Sequence, residues 1–365
     1  MQPVRSAISS LSDFDIRDLT DSDVRLRVHR NEAPLPPPQH VVDAVRFLDA
    51  ESFRRYPLGL MRRFTKGLAL RLDVPSNRLV IGSGADDLLM AAARVATDPG
   101  DNSVMVRPTF GMYARAALAA GAIVRELRYR ERWKLDTSEL LQLMDNRTKL
   151  LYLGHPNNPT GEPLAVGTLQ TLADALPQAL IVVDEVYLCF REASLVRSAG
   201  SFPNVVVVGS LSKVSALAGM RIGFAVATPS VARILRKVIA PYPLSVASLA
   251  AADALIRGDA ATTRFEDSLD TQIRRSLDAI VDAVAPFARA IWRGPANFIL
   301  VDFAFDAKKL AKRLRRRGVA VRIFSDPDLA GCVRLCALDD QSTSELIRVL
   351  GEILPQFLEG IAVDA

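Results

Sequence analysis

Short apolar runs recur along the middle of the chain, separated by longer stretches with helical spacing. Leu79–Ile81, Ser103–Val106, Leu150–Leu153, Leu180–Val183, Val205–Val208 and Ile222–Val226 are dominated by Val, Ile and Leu. Unbroken apolar runs of this length predict strands buried on both faces. Strands alternating with helices predict a mainly parallel sheet covered by helices, so the fold class is α/β with a large domain over 46–265. Arg264–Val284 carries apolar residues at helical spacing, and 266–289 is expected to be a linking helix. Further on, Asn297–Val301, Val319–Arg322 and Val333–Leu335 read as strands, and Ser344–Leu354 as a final helix. Residues 290–365, joined by 1–45, are expected to make a smaller α/β domain. Pro34–Pro38 favours an extended crossing segment.

Composition narrows the class. The chain has 365 residues, 49% of them hydrophobic and 24% charged, enough for a sizeable core and unlike a disordered chain. Its net charge of +5 is mild and scattered. The densest basic run, Lys308–Arg317, is interleaved with Leu310, Ala311 and Leu314, and reads as an amphipathic helix with a solvated basic face. It lacks the aromatic interleaving of a nucleic-acid surface, so no nucleic-acid partner is expected. Three cysteines, Cys189, Cys332 and Cys336, suggest a reducing compartment and give no metal-ligand spacing. Three histidines leave little for a histidine-based site, and His155 reads as incidental. The first 25 residues lack an apolar signal core and no uncharged run of membrane length occurs, so the expected location is cytoplasmic.

Three segments carry candidate chemistry. Lys213 lies in Ser210–Lys213, framed by hydroxyls, with Arg221 eight positions on. An amine beside groups that hold a phosphate dianion suits a pyridoxal phosphate (PLP) anchor. Asp184 ends the run Leu180–Val183, at the strand's carboxyl end, where open α/β sheets bind ligands. It could cap a helix, or pair with a pyridine nitrogen and keep the ring an electron sink. His155–Gly161 is a rigid turn whose side-chain amides could reach a cofactor oxygen. It could equally be an ordinary strand-to-helix loop.

In this order the motifs resemble the fold-type I PLP-dependent aminotransferases, and within them the histidinol-phosphate aminotransferase branch. Asn31–Pro34, Arg55–Pro57, Gly84–Asp87, Pro108–Tyr113, Ile239–Ser245 and Gly331–Leu335 match as well, so the likeness runs from about Leu26 to Leu338. The resemblance implies PLP as cofactor, with a small-molecule amino donor and a 2-oxo acid, such as 2-oxoglutarate, as substrates. Lys213 would be the Schiff-base lysine and acid/base, and Asp184 the partner of the pyridine nitrogen. Asn158 and Tyr187 would bond the 3′-oxygen. Backbone amides of Ala85 and Asp86 at a helix start, with Ser210, Ser212 and Arg221, would hold the phosphate. Phe110 would stack on the ring. Arg334 would bind the substrate's anionic group beside Asn158, assisted by Arg322. Tyr56 would reach the neighbouring subunit's phosphate, making a homodimer.

The chain departs from the branch in places. Phe110 stands for the usual tyrosine, which keeps the aromatic face and loses a hydroxyl. Val186 replaces an alanine. The Pro-Tyr element expected near Ile16–Asp23 is missing, and Cys336–Gln341 puts an acid where an arginine is usual. The reaction class is therefore better fixed than the substrate. Another aminotransferase, or a phospho-amino-acid decarboxylase or cyclase, remains the alternative. A PLP-binding regulator would need a DNA-binding module the chain has no room for. An NAD-binding protein would need a third glycine after Gly82-Ser83-Gly84.

Overall fold

The computed structural model describes residue 8 and residues 23–130, 133–188, 190 and 193–357. In chain order the elements are β1 (Leu26–Arg27), α1 (Gln39–Arg46), α2 (Ala50–Arg54), α3 (Leu58–Leu72), β2 (Leu79–Gly82), α4 (Ala85–Ala96), β3 (Asn102–Arg107), α5 (Met112–Ala120), β4 (Ile123–Arg128), α6 (Thr137–Leu143), β5 (Thr148–Gly154), α7 (Val166–Ala175), β6 (Leu180–Asp184), β7 (Val205–Ser210) and β8 (Gly223–Val226). There follow α8 (Pro229–Leu235), α9 (Val246–Ile256), α10 (Ala260–Val284), β9 (Ala288–Arg293), β10 (Phe298–Phe303), α11 (Ala307–Arg316), β11 (Val319–Ala320), β12 (Cys332–Cys336) and α12 (Asp340–Ile353).

Seven strands form one sheet in the order β2-β8-β7-β6-β5-β3-β4. Its pairs are parallel except for β8, which runs against both β2 and β7. Successive side chains of a strand point to opposite faces. Val80, Met105, Leu150, Tyr152, Val182, Val206 and Ala225 pack under α4 and α5 on one face. Ile81, Val104, Leu151, Ile181, Val183, Val207 and Phe224 meet a larger core on the other. Both faces are covered, which is why the central strands are apolar, while the edge strand β4 is mixed. The apolar helix α9 lies within the larger core, buried over Ser248–Ile256. Its one acid, Asp253, is 3% exposed and pairs with Arg63 and Arg257.

The C-terminal strands form an antiparallel sheet in the order β12-β10-β9, and β1 pairs in parallel with β11. The amino-terminal segment thus joins C-terminal strands, whereas α1 packs on α9. The linking helix begins earlier and ends sooner than 266–289. Its cap is Asp259, which accepts from the amide of Thr262, and Pro286 lies in the single tight turn that separates it from β9. The basic helix α11 is anchored by its charges: Arg315 pairs with Asp23, Arg317 just beyond it pairs with Glu352, and Arg313 lies over Phe357. Cys332 and Cys336 are free and buried on β12, four residues apart, while Cys189 lies outside the described residues.

Gly209 on β7 sits opposite Phe224, and a Cβ there would stand 2.3 Å from the ring's Cζ. Gly209→Ala should lower stability by about 1–3 kcal/mol through overpacking. Adding Phe224→Leu should recover part of the loss in thermal unfolding.

Candidate active site

Five connections converge on one edge of the large sheet. β2, β3, β5, β6 and β7 end there and β8 begins there, so backbone turns rather than strands face the opening. Each turn delivers one group. β6 ends in Asp184, β7 runs through Ser210 to Lys213, β5 leads into Asn157-Asn158, and β2 leads into α4.

Asp184 is 5% exposed. Its carboxylate accepts from the Tyr113 hydroxyl at 2.9 Å and the Val186 amide at 3.2 Å. Burial pushes this carboxyl up to about 6 despite both donors. Tyr113 stacks on Tyr152 at 5.1 Å and meets the edge of Phe110 at 5.8 Å. Sequence reasoning placed Phe110 here but missed Tyr113, although the two stand three residues apart at the start of one helix. The helix-cap reading of Asp184 is not realised, because the residues directly after it, 185–188, form a turn and not a helix.

Lys213 lies near enough to Asp184 for its charge to lower that carboxyl's pKa. Its Nζ donates to the Arg30 carbonyl at 2.8 Å, and burial, followed by the charge of Arg334, holds its pKa below the ordinary lysine value. Arg334 is itself 6% exposed and bonds the Asn158 side-chain oxygen (2.5 Å) and the His29 carbonyl (2.6 Å). Its guanidinium lies over Phe298, and its Nε is buried with no partner. Tyr187 accepts from the Asn31 amide at 3.0 Å and packs edge-on to Phe298. Asn31 holds a left-handed φ of 53°, which asparagine tolerates, and its carbonyl accepts from Asn297. The amino-terminal segment 29–31 therefore forms a wall of the site, a role the sequence did not reveal for Arg30 or Asn297.

The two asparagines of the turn differ. Asn157 is spent on structure: its amide nitrogen donates to the Pro108 carbonyl and the Thr160 hydroxyl, and its oxygen accepts from Thr109. Asn158 is the one turned to Arg334. Gly161, at φ 77°, packs so closely on Gly294 that a Cβ on Gly294 would meet the Gly161 carbonyl.

An anion cradle closes the site. Gly84, at φ 84°, precedes α4 with no side-chain cap, leaving first-turn amides such as those of Ala85 and Asp86 for an anion. Arg221 takes a left-handed φ of 50°, lies over Gly84 and reaches Asp86 at 3.3 Å. A Cβ on Gly223 would fall 2.3 Å from the Gly84 carbonyl carbon, so glycine alone permits this approach. The Ser210 hydroxyl donates to the Ile222 carbonyl (3.0 Å), lies 2.9 Å from the Ser212 hydroxyl and accepts from the Ser212 amide (3.1 Å), bracing the loop.

Of the remaining predicted residues, Tyr56 stands apart and Arg322 adjoins Arg334. Tyr56 is 72% exposed and stacks on Tyr242 at 4.2 Å. Arg322 pairs with Arg334 through the backbone, while its guanidinium lies 5.8 Å from the Phe324 ring. The acids after Arg334 serve the fold: Asp339 caps α12, and Asp340 pairs with Arg275. Residues 16–22 of the expected Pro-Tyr region lie outside the described residues. Among the described residues no cluster of His, Cys, Asp or Glu could hold a metal, and no helix is long and apolar enough to cross a membrane.

These groups fit PLP. The donors on Asp184 are both neutral, so the buried carboxylate suits a pyridinium. The cradle suits a phosphate, and the sheltered, pKa-depressed lysine suits an aldehyde.

The family described as aminotransferase class I and II matches residues 26–350. The histidinol-phosphate aminotransferase of Shewanella amazonensis is 34% identical over 311 residues, covering 82% of this chain and 83% of that protein. That of Pectobacterium atrosepticum is 33% identical, covering 90% and 93%. Among solved structures, the histidinol-phosphate aminotransferase from Sinorhizobium meliloti in complex with pyridoxal-5′-phosphate superposes with a TM-score of 0.87. It is 24% identical, and the match covers 98% of this chain and 99% of that one.

Burial raises Asp184 to about 6 and Glu185 to about 7, above their unfolded values of 3.8 and 4.5. The folded apoprotein keeps protons that the unfolded chain gives up. The stability these groups contribute is present at low pH and is lost as pH rises through the two folded values. Asp184→Asn removes one such group, so the melting temperature of the variant relative to wild type should climb by about 2 °C between pH 5 and 8. Saturating wild type with PLP should remove the Asp184 share of the loss, because a cation lowers the carboxyl pKa again.

Proposed function

Because the chain belongs to the class I and II aminotransferases, we propose that it is a PLP enzyme moving an amino group from L-histidinol phosphate to 2-oxoglutarate. The observation that carries this is the meeting of Lys213, Asp184, Asn158 and Arg334 at one sheet edge beside an anion cradle. The histidinol-phosphate aminotransferases among its relatives supply the donor.

When bound, PLP supplies an aldehyde that captures amines and a ring that takes up the electron pair released at the substrate's Cα. The chain's residues do the rest. Ala85, Asp86, Ser210, Ser212 and Arg221 hold the phosphate, Phe110 covers one ring face, and Asp184 neutralises the ring nitrogen, itself oriented by Tyr113. Asn158 and Tyr187 hold the 3′-oxygen. Lys213 anchors the cofactor. Once a substrate amine displaces it, its free Nζ takes the Cα proton, and the burial that disfavours its charged form helps it act as the base. Arg334, with Arg322 beside it, binds the anionic end. Guanidinium meets phosphate and carboxylate alike, so one residue serves donor and acceptor in turn.

The active unit is a homodimer, and Tyr56 reaches the partner's phosphate. Its own surroundings support this: Phe47, Phe53 and Leu58 on the same stretch are also exposed. The enzyme works in the cytoplasm, where its buried cysteines stay reduced.

Glutamate formed from 2-oxoglutarate should rise in step with histidinol phosphate consumed, and Lys213→Ala should abolish it. Conversion of a different amine alone would reassign the substrate, and carbon dioxide released from a phosphorylated amino acid would reassign the reaction. For the dimer, mixing Lys213→Ala with Tyr56→Ala chains should restore up to about a quarter of wild-type activity, since half the dimers then hold one complete site. No recovery after verified subunit exchange would place Tyr56 outside the site.

A further inference from the structure

Behind the site, one short segment is gripped from two strand ends. The Glu185 carboxylate accepts from the Ser194 hydroxyl at 2.6 Å and the Leu195 amide at 2.7 Å. His155 Nε2 lies 3.2 Å from the Ala193 carbonyl, and its Nδ1 accepts from the Leu164 amide at 2.9 Å. An Nδ1 that accepts must lack a proton, so the neutral ring carries its proton on Nε2 and donates it to Ala193. Both side chains are buried, Glu185 at 1% and His155 at 4% exposure. A buried carboxylate and a buried imidazole are costly unless their bonds are made, and here both are fully engaged.

The two grips sit at the roots of different cofactor turns. His155 opens the turn that ends near Leu164 and carries Asn158. Glu185 stands between Asp184 and Tyr187. The His155 amide donates to the Asp184 carbonyl at 2.8 Å, so the two roots also touch each other. We propose that Ala193–Leu195 is a strap, with His155 and Glu185 as positioning residues that fix Asn158 and Asp184 at one separation. This rests on the roles proposed for Asp184 and Asn158. A flat ring bonded at its nitrogen by one turn and at its 3′-oxygen by another needs that separation held to a fraction of an ångström. A misplacement of about 1 Å can cost two orders of magnitude in rate. Burial lifts the Glu185 carboxyl to about 7, so the anchor is poised between charged and neutral forms. Its two donors favour the charged form.

The test uses the holoenzyme with His155→Ala, Glu185→Ala, Glu185→Gln, Ser194→Ala and the His155→Ala/Glu185→Ala double variant. Three properties are read: the pH midpoint of the bound cofactor's visible absorbance, kcat at saturating substrates and PLP, and amide hydrogen exchange at Leu164 and Leu195 in the apoprotein. Each alanine variant of the pair should move the midpoint by roughly half a unit or more and lower kcat by about tenfold. The double variant should do little worse than either single one, because both act through one strap. Exchange at Leu195 should quicken in the His155→Ala variant as well as in the Glu185→Ala variant. Glu185→Gln keeps an acceptor for Leu195 and should restore most of kcat. Ser194→Ala removes one bond without stranding the chain, and gives a graded version if the alanine variants fold poorly. Additive losses, or a lowered melting temperature with an unmoved midpoint, would overturn the strap alone. A wild-type enzyme with no Lys213-dependent absorbance would overturn the proposed function and the strap together.

Discussion

A carboxyl group at the end of a strand covered on both faces cannot stay ionised without help, and the arrangement of this site follows from that constraint at Asp184. Water is excluded by the side chains that make β6 a good central strand. The protein's own donors, Tyr113 and Val186, are neutral and only partly offset the desolvation. A positive charge completes the balance, and a protonated ring nitrogen is one. The same burial that disfavours a lone charge on Asp184 would favour a cationic ring beside it. Tyr113 sets the direction of that carboxylate, held in turn by its stack on Tyr152, whose hydroxyl donates to the Leu89 carbonyl of α4. The start of α4, proposed to hold the phosphate, and Asp184, proposed as the ring partner, are thus tied through one aromatic pair.

Much of the fold was legible because its strands are buried on both faces and therefore appear as unbroken apolar runs. The elements that escaped lack that property. β4 is an edge strand with a mixed run, Ile123–Arg128, and no unbroken apolar face. β9 carries two arginines and is half-buried. The antiparallel course of β8 could not be read at all, since an apolar run states burial and not direction. The linking helix was misplaced at its ends because its cap, Asp259, lies outside the apolar pattern used to find it.

At the site, the residues that were legible are those whose chemistry is unusual for their place: a lysine between hydroxyls, an acid ending an apolar strand, asparagines in a proline turn. Those that were missed act through ordinary groups. Arg30 contributes a carbonyl, Asn297 bonds to backbone, and Tyr113 is an aromatic residue in an apolar helix. None has a sequence signature, because the contact depends on distant segments meeting. Departures gain a second meaning from geometry. The acid in the usual arginine position, Asp339, accepts from the amide and hydroxyl of Ser342 and so caps α12, while its neighbour Asp340 pairs with Arg275 on α10.

Arg334 links substrate binding to the chemistry of Lys213. The lysine's pKa is lowered by burial and then by the charge of Arg334. Arg334 in turn is buried, held by neutral oxygens of Asn158 and His29, with an Nε that has no partner. Its positive charge is therefore felt by its neighbours with little screening. An anion seated on the guanidinium cancels most of that field. Under the proposed roles, Lys213 anchors the cofactor until a substrate amine displaces it, so its free amine meets the field of Arg334 with substrate already seated. An anionic substrate weakens that field and leaves Lys213 a stronger base when a proton must be taken from Cα. An uncharged amine entering the same site would leave the repulsion in place and meet a weaker base. Selection for the anionic end then acts on the proton transfer as well as on affinity, which is the direction in which binding energy is turned into rate.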